Sequence, residues 1–280
     1  VCVCLCGSVA NHIKHKEFQM HVDSTFSDIL TKSRDHILRI EINRPQKKNA
    51  LTIAMYAAMA DAIIQADEDS DIRVVFLHGT ADCFTAGNDL QDFEDYKPDG
   101  EVRPANPFLV AIRRAKKPIV AAVGGIAVGV GTTMLLHFDL VYAGESAQFR
   151  LPFVNLGLCP EAASSFLLPR LIGHQHASEL LLLGEPFSVA KAREIGLVNA
   201  VYPDSDFIDK AYGHAQKLAQ QPPASVRLTK ALLKRPISGY IAETMSEEMT
   251  YFTDRLGSAE CAEALSAFIV RRKPDFSGFK

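Results

Sequence analysis

The sequence predicts a mixed α/β fold followed by a helical C-terminal region. Three observations carry this. Short apolar runs at Arg73–His78, Pro118–Gly124 and Leu140–Gly144 are each ended by glycine, the pattern of buried strands. A helix-length amphipathic segment follows Thr52 and separates the first alternating run from the others. Beyond Pro160 the apolar residues fall mostly at helical spacing.

Taken in order, residues 1–33 read as an N-terminal extension that is poorly ordered, with Cys2, Cys4 and Cys6 near His12, His15 and His21. That spacing fits no zinc pattern, and the remaining cysteines, Cys83, Cys159 and Cys261, are too scattered for a secreted disulfide framework. No basic residue precedes the apolar opening, which argues against a signal peptide. With Val1 in first place and Met20 ahead of a polar run, the opening reads as a leader, a fragment end or an over-long gene start. A cytoplasmic location is the expectation.

From His36 to Ile42 the sequence H-I-L-R-I-E-I alternates, as in a half-buried strand, and N-R-P-Q-K-K-N then forms a loop. Thr52 is a fitting N-cap for a helix through Ala66, because Met55, Ala58, Met59, Ala62 and Ile63 share one face. Each apolar run starting at Pro118 and Leu140 is followed by a second short apolar piece, so similar β units repeat. Residues 91–106 are acidic and contain Pro and Gly, and read as an excursion placed to act as a lid or ligand-facing loop. Helical segments follow at Leu167–Leu171, Ala177–Leu183 and Ala190–Ile195, then a strand at Leu197–Tyr202 and helices to Arg272. The division is therefore a core at 34–205 and a helical region at 206–280 whose amphipathic faces predict an oligomer.

Composition narrows the function. A 280-residue chain with 48% hydrophobic and 22% charged residues is globular, and a formal net charge of −3 offers no overall basic field for nucleic acid. The longest apolar stretches are broken by glycine and threonine, so no membrane span is predicted. The glycine-rich segment Gly124–Met134 fails as a dinucleotide fingerprint, because Met134 stands where a third glycine is needed. It fails as a phosphate-binding Walker loop, because Val130 stands where lysine is needed. Gly144–Gln148 lacks the closing glycine of a nucleophile elbow, and His174 and His176 cannot share a helical face for metal ligation. What survives is main-chain chemistry: a turn into a helix start near Gly129 aims free N–H groups at one point, and the turn Phe84–Leu90 offers another beside Gly87.

These two turns, with K-K-P-I-V-A-A-V-G-G between them, resemble the oxyanion-hole segments of the crotonase (enoyl-CoA hydratase/isomerase) family. R-P-Q-K-K-N-A-L at Arg44–Leu51, D-L-V-Y-A-G-E-S-A-Q-F at Asp139–Phe149, A-R-E-I-G-L-V-N at Ala192–Asn199 and S-A-F-I-V-R-R-K-P-D-F at Ser266–Phe276 extend the likeness over about residues 34 to 276. The resemblance implies a crotonase-like spiral of ββα units around two nearly perpendicular sheets. It also implies a helical region supporting a homotrimer or a dimer of trimers, and an acyl-CoA thioester as substrate. No separate cofactor or metal is implied, CoA being part of the substrate.

Carried over by that resemblance, the oxyanion-hole donors are the backbone N–H groups of Asn88 and Val130, which would grip the thioester oxygen. Donors of this kind contribute about 2.7 to 4 kcal/mol each. The adenine of CoA would meet Ala50 and the segment Ala86, Asn88, Asp89, Leu90 and Gln91, while Lys47 or Lys48 and Lys273 would meet its phosphates. The two hydratase glutamates fall on Thr133 and Phe153, neither of which can exchange a proton as a carboxyl does; Phe153 would line the acyl pocket. Glu161, in L-P-F-V-N-L-G-L-C-P-E-A-A-S-S, occupies the place of the catalytic glutamate in peroxisomal-type Δ3,Δ2-enoyl-CoA isomerases. A competing account is that Pro160 and Glu161 simply open a helix at its first two positions. Asp89 and Asp139 are the rival carboxylates, explained by a turn and a strand start. The expected reaction is a shift of a 3-enoyl-CoA to trans-2-enoyl-CoA; the alternatives are hydration or another reaction of the family, and a CoA-binding scaffold without catalysis.

Overall fold

The computed structural model describes residues 28–89 and 106–279. The expected lid at 91–106 lies outside the described residues except for Asn106, as do the cysteine triplet and the early histidines. The chain opens with the antiparallel pair β1 (Ile29–Arg34) and β2 (Ile37–Ile42). The boundary expected after residue 33 is corrected by β1, which belongs to the core sheet. Only Ile29 of β1 is buried, so this edge strand carries no alternating signal in the sequence.

Thr52 caps α1 (Ile53–Glu68) by accepting from the Met55 amide, and Met55, Met59 and Ile63 are buried on its inner face. Three strand pairs then alternate between two sheets: β3 (Val74–His78) with β4 (Cys83–Thr85), β5 (Ile119–Val123) with β6 (Ile126–Val128), and β7 (Leu140–Gly144) with β8 (Gln148–Arg150). Helix α2 (Pro107–Arg114) stands between the first pair and the second, and α3 (Val130–Thr133) follows β6. Later come α4 (Ser164–Ile172), α5 (His174–Leu183), β9 (Phe187–Ser188), α6 (Val189–Glu194) and β10 (Ala200–Tyr202). Strand β9 spans two residues, too few for a periodic signal.

The larger sheet has the order β1-β2-β3-β5-β7-β10 and is parallel from β2 onward; the smaller has the order β4-β6-β8-β9. Strand periodicity of two explains the core. Val74 and Phe76 face one way with Val120, Ala122 and Tyr142, where α7 (Phe207–Ala219) covers them with Phe207, Ala211 and Ala215. Val75 and Leu77 face the other way with Ala121, Val123 and Val141, into the cluster shared with α1 and the smaller sheet. Burial on both faces is why these strands read as unbroken apolar runs. Helix α7 thus completes the core, although it lies beyond the expected boundary at residue 205. The chain continues through α8 (Pro223–Lys234), α9 (Ser238–Leu256) and α10 (Ala259–Ile269).

Candidate active site

The site begins with the register of two short strands. β4 and β6 run parallel, with Cys83 opposite Ile126 and Thr85 opposite Ala127, so the chain leaves both at the same edge. Gly87 has φ +94, and a Cβ there would lie 2.9 Å from the Val128 carbonyl oxygen: only glycine allows the two turns to pack backbone to backbone. Gly129, with φ 57 and ψ −119, then caps α3. Val130 is the first residue of that helix, so its amide has no intrahelical acceptor. The amides of Asn88 and Val130 donate to no group among the described residues. Two free N–H groups therefore sit on turns in contact.

The first turn is held from behind. Asn49, buried and left-handed at φ 55, donates to the carbonyls of Cys83 (2.8 Å) and Phe84 (3.2 Å) and accepts from the Arg44 amide at 2.7 Å. Arg44 Nη1 donates to the Ala50 carbonyl at 3.0 Å and to Asp89 Oδ2 at 2.6 Å. The Asp89 carboxylate is thus turned onto Arg44. Leu51 and Asn88 form an isolated parallel bridge, and the Tyr56 hydroxyl donates to Asn88 Oδ1 at 2.5 Å. Ala50 and Ala86 are half-buried beside these contacts. Leu90 and Gln91 lie outside the described residues, and Lys47, Lys48 and Lys273 are exposed. Arg44, Asn49 and Tyr56 received no role from the sequence, although the first two stand within the motif at Arg44–Leu51.

Glu161 reaches the helix that carries Val130. Thr133, the last residue of α3, donates its hydroxyl to Glu161 Oε1 at 2.7 Å. Thr133 is three residues after Val130, a displacement of about 4.5 Å along a helix axis. The carboxyl therefore reaches α3 within one turn of a free amide. No described residue donates to Glu161 Oε2, which leaves that oxygen available. Phe153 is buried in the same apolar cluster as Val130, Ala162 and Ala163.

Glu161 does not open a helix. α4 starts at Ser164, and Ala162 and Ala163 intervene with φ of 60 and 55, two consecutive left-handed alanines. Each costs about 1–2 kcal/mol, so surrounding contacts must impose the turn. His137, one turn beyond Thr133 and pushed down to about 4 by burial, is neutral near pH 7 and donates Nε2–H to the Ala162 carbonyl at 2.7 Å. Glu248 of α9 accepts from the Ala163 amide at 2.6 Å. Neither residue carried a signal in the sequence.

With 6% of its surface exposed, Glu161 is a buried acid. Burial pushes its pKa up to about 7, the Thr133 hydrogen bond works against the rise, and the nearby charge of Glu248 adds to it. Such a carboxyl can both take and return a proton near neutrality. The rival carboxylates have structural work: Asp89 holds Arg44, and Asp139 accepts from the Ile119 amide and from Lys230 Nζ. His174 and His176 are exposed, and among the described residues no cluster of three or more His, Cys, Asp or Glu could hold a metal. No helix in them is long and apolar enough to cross a membrane.

Comparison with known proteins agrees with this architecture. Enoyl-CoA delta isomerase 2 of Rattus norvegicus is 36% identical over 251 residues, which cover 87% of this chain and 64% of that protein. The chain thus spans less than two thirds of that relative's length. The 2,3-dehydroadipyl-CoA hydratase of Escherichia coli (strain K12) is 32% identical over 253 residues, 90% of this chain and 99% of that one. The solved structure of an enoyl-CoA hydratase/isomerase from Pseudoalteromonas atlantica T6c matches with a TM-score of 0.84 at 40% identity, covering 89% of this chain and 99% of that one. The crotonase-like fold expected from the motifs is therefore the fold found. Residues 32–279 match the family described as Enoyl-CoA hydratase/isomerase, and the chain belongs to that family.

Proposed function

We propose that the protein moves the double bond of a 3-enoyl-CoA to the conjugated trans-2-enoyl position, with Glu161 as the sole acid/base. The carrying observation is the pairing of one buried carboxyl with a threonine: Thr133, where the family resemblance puts a hydratase glutamate, is a hydrogen-bond donor to Glu161. Hydration needs one group to activate water and another to deliver a proton, whereas a 1,3 shift needs one group to do both in turn. Glu161 takes a proton from C2 and returns it at C4. Between these steps the negative charge rests on the thioester oxygen, opposite the amides of Asn88 and Val130. The thioester arrives on CoA, whose adenine is placed at Ala50 and the 86–91 segment and whose phosphates are placed at Lys47 or Lys48 and Lys273. The likeness to the rat isomerase supports this reading.

The purified protein given 3-hexenoyl-CoA is expected to generate the absorbance of a conjugated enoyl thioester, and to hydrate crotonyl-CoA far more slowly. Hydration at the faster rate would transfer the assignment to the hydratases, to which the E. coli relative belongs by name. We further propose self-association through α8 and α9, where Leu228, Leu232, Leu233 and Tyr240 are exposed. Light scattering at the mass of a trimer or its dimer supports this, and a monomer at micromolar concentration refutes it.

A further inference from the structure

Glu248 is a second buried carboxylate beside the site, supplied by the C-terminal helices. It lies on α9 with 7% of its surface exposed. Oε2 accepts from the Ala163 amide at 2.6 Å, and Oε1 accepts from the Ser165 amide at 2.9 Å and from the Ser165 hydroxyl at 2.5 Å. Every partner donates, which matches an ionised carboxylate, an acceptor at both oxygens. Ala163 occupies the N-cap of α4 and has no side-chain oxygen with which to cap it. Glu248 supplies that cap by accepting from the Ser165 amide, 83 residues away in sequence.

The cap falls on the left-handed pair that follows Glu161. Ala162 is held through its carbonyl by His137, and Ala163 through its amide by Glu248. These contacts grip the turn from two elements. We propose that Glu248 is a positioning residue for Glu161: it locks the Ala162–Ala163 turn that aims the Glu161 carboxyl at Thr133. The inference rests on the reading of Glu161 as the base.

Electrostatics support the geometry. The charge of Glu248 adds to the rise that burial imposes on Glu161, behind the opposing effect of Thr133. The Cys159 thiol is pushed up to about 11, chiefly by burial, and stays protonated, and His137 is neutral near pH 7. Burial raises the Glu248 pKa, the hydrogen bonds from Ser165 and Ala163 oppose that rise and favour the ionised form, and Glu247 adds a small rise; Arg255 of α9 donates to the Gly157 carbonyl and Lys234 of α8 to the His137 carbonyl.

The test combines carboxyl 13C NMR titration of protein labelled at glutamate with steady-state kinetics, in the wild type, Glu248→Gln and Ser165→Ala. The Glu161 resonance is assigned by its loss in Glu161→Gln. In Glu248→Gln the Glu161 midpoint is expected to move to lower pH, as a neighbouring negative charge is removed. The isomerase kcat is expected to fall roughly 10- to 100-fold with KM changed less than threefold, as for a misplaced catalytic group. Ser165→Ala keeps the charge and loses one donor, and should lower kcat about two- to fivefold by the same misplacement; it carries the test if Glu248→Gln does not fold. A folded Glu248→Gln protein with a lowered melting temperature but an unmoved Glu161 midpoint and unchanged kcat would overturn the proposal, and so would an unchanged kcat in Ser165→Ala if that variant alone is available. The titration needs no turnover. Wild-type rates in Glu161→Gln would therefore reject the base itself while the midpoint still decides the role of Glu248.

Discussion

The two halves of the site are built from different materials. The β4–β6 half presents main-chain amides, fixed by parallel register and by Gly87 and Gly129. The other half presents one side chain, Glu161, fixed by contacts from α3, the 134–137 turn and α9. A backbone device is indifferent to most side-chain changes and sensitive to anything that moves the chain. A carboxyl held by distant residues is sensitive to each of them. The halves should therefore fail in different ways.

The largest effect is expected at Glu161. Replacing it with alanine should lower the isomerase kcat by about 10²- to 10⁴-fold with little change in KM, the range for loss of a general acid/base. Next comes Gly87→Ala, whose added Cβ would press the Val128 carbonyl at a φ that alanine rarely adopts. By moving the Asn88 amide it should cost about 10²- to 10³-fold in kcat. Asn88→Ala keeps the amide and loses only the contact with Tyr56, so its kcat should stay within about tenfold of wild type. Equal damage from these two substitutions would end the distinction between the halves.

A smaller effect concerns stability. Glu161 titrates at about 7 in the folded protein against an ordinary 4.5. Between these values the native state holds a proton that the unfolded state has lost, so stability falls as pH rises through that window. Glu161→Gln keeps an acceptor for Thr133 and removes the buried charge. It should raise the unfolding free energy at pH 8 by at most about 3 kcal/mol, and by almost nothing at pH 4, as read by urea denaturation at both pH values. The smallest effect is expected from Thr133→Val. Losing a hydrogen bond that lowers the Glu161 pKa should move the acid limb of kcat/KM upward from its wild-type position near pH 7, reducing activity at pH 7 and restoring much of it at pH 9.

The same division governs what could be read from sequence. The strands at Val74–His78, Ile119–Val123 and Leu140–Gly144 were legible because burial on both faces leaves continuous apolar runs. α1 was legible from its cap and its periodic face. The turns at Gly87 and Gly129 announced themselves through glycine. β1 was not legible, since five of its six residues are exposed. Glu161 stands out only through the family motif; local spacing alone makes it the start of a helix, because two alanines give no warning of a left-handed turn. Glu248 was silent for a different reason. Its role exists only after α9 has packed against α4, and nothing near residue 248 in the chain records that contact.

The central claim is that one shielded carboxyl carries the proton from C2 to C4. It is tested most directly by converting 3-hexenoyl-CoA deuterated at C2, in ordinary water, and locating deuterium in the conjugated product. Burial of Glu161 predicts that much of the label reappears at C4. A C4 hydrogen drawn entirely from solvent, even in the first turnovers, would contradict the account.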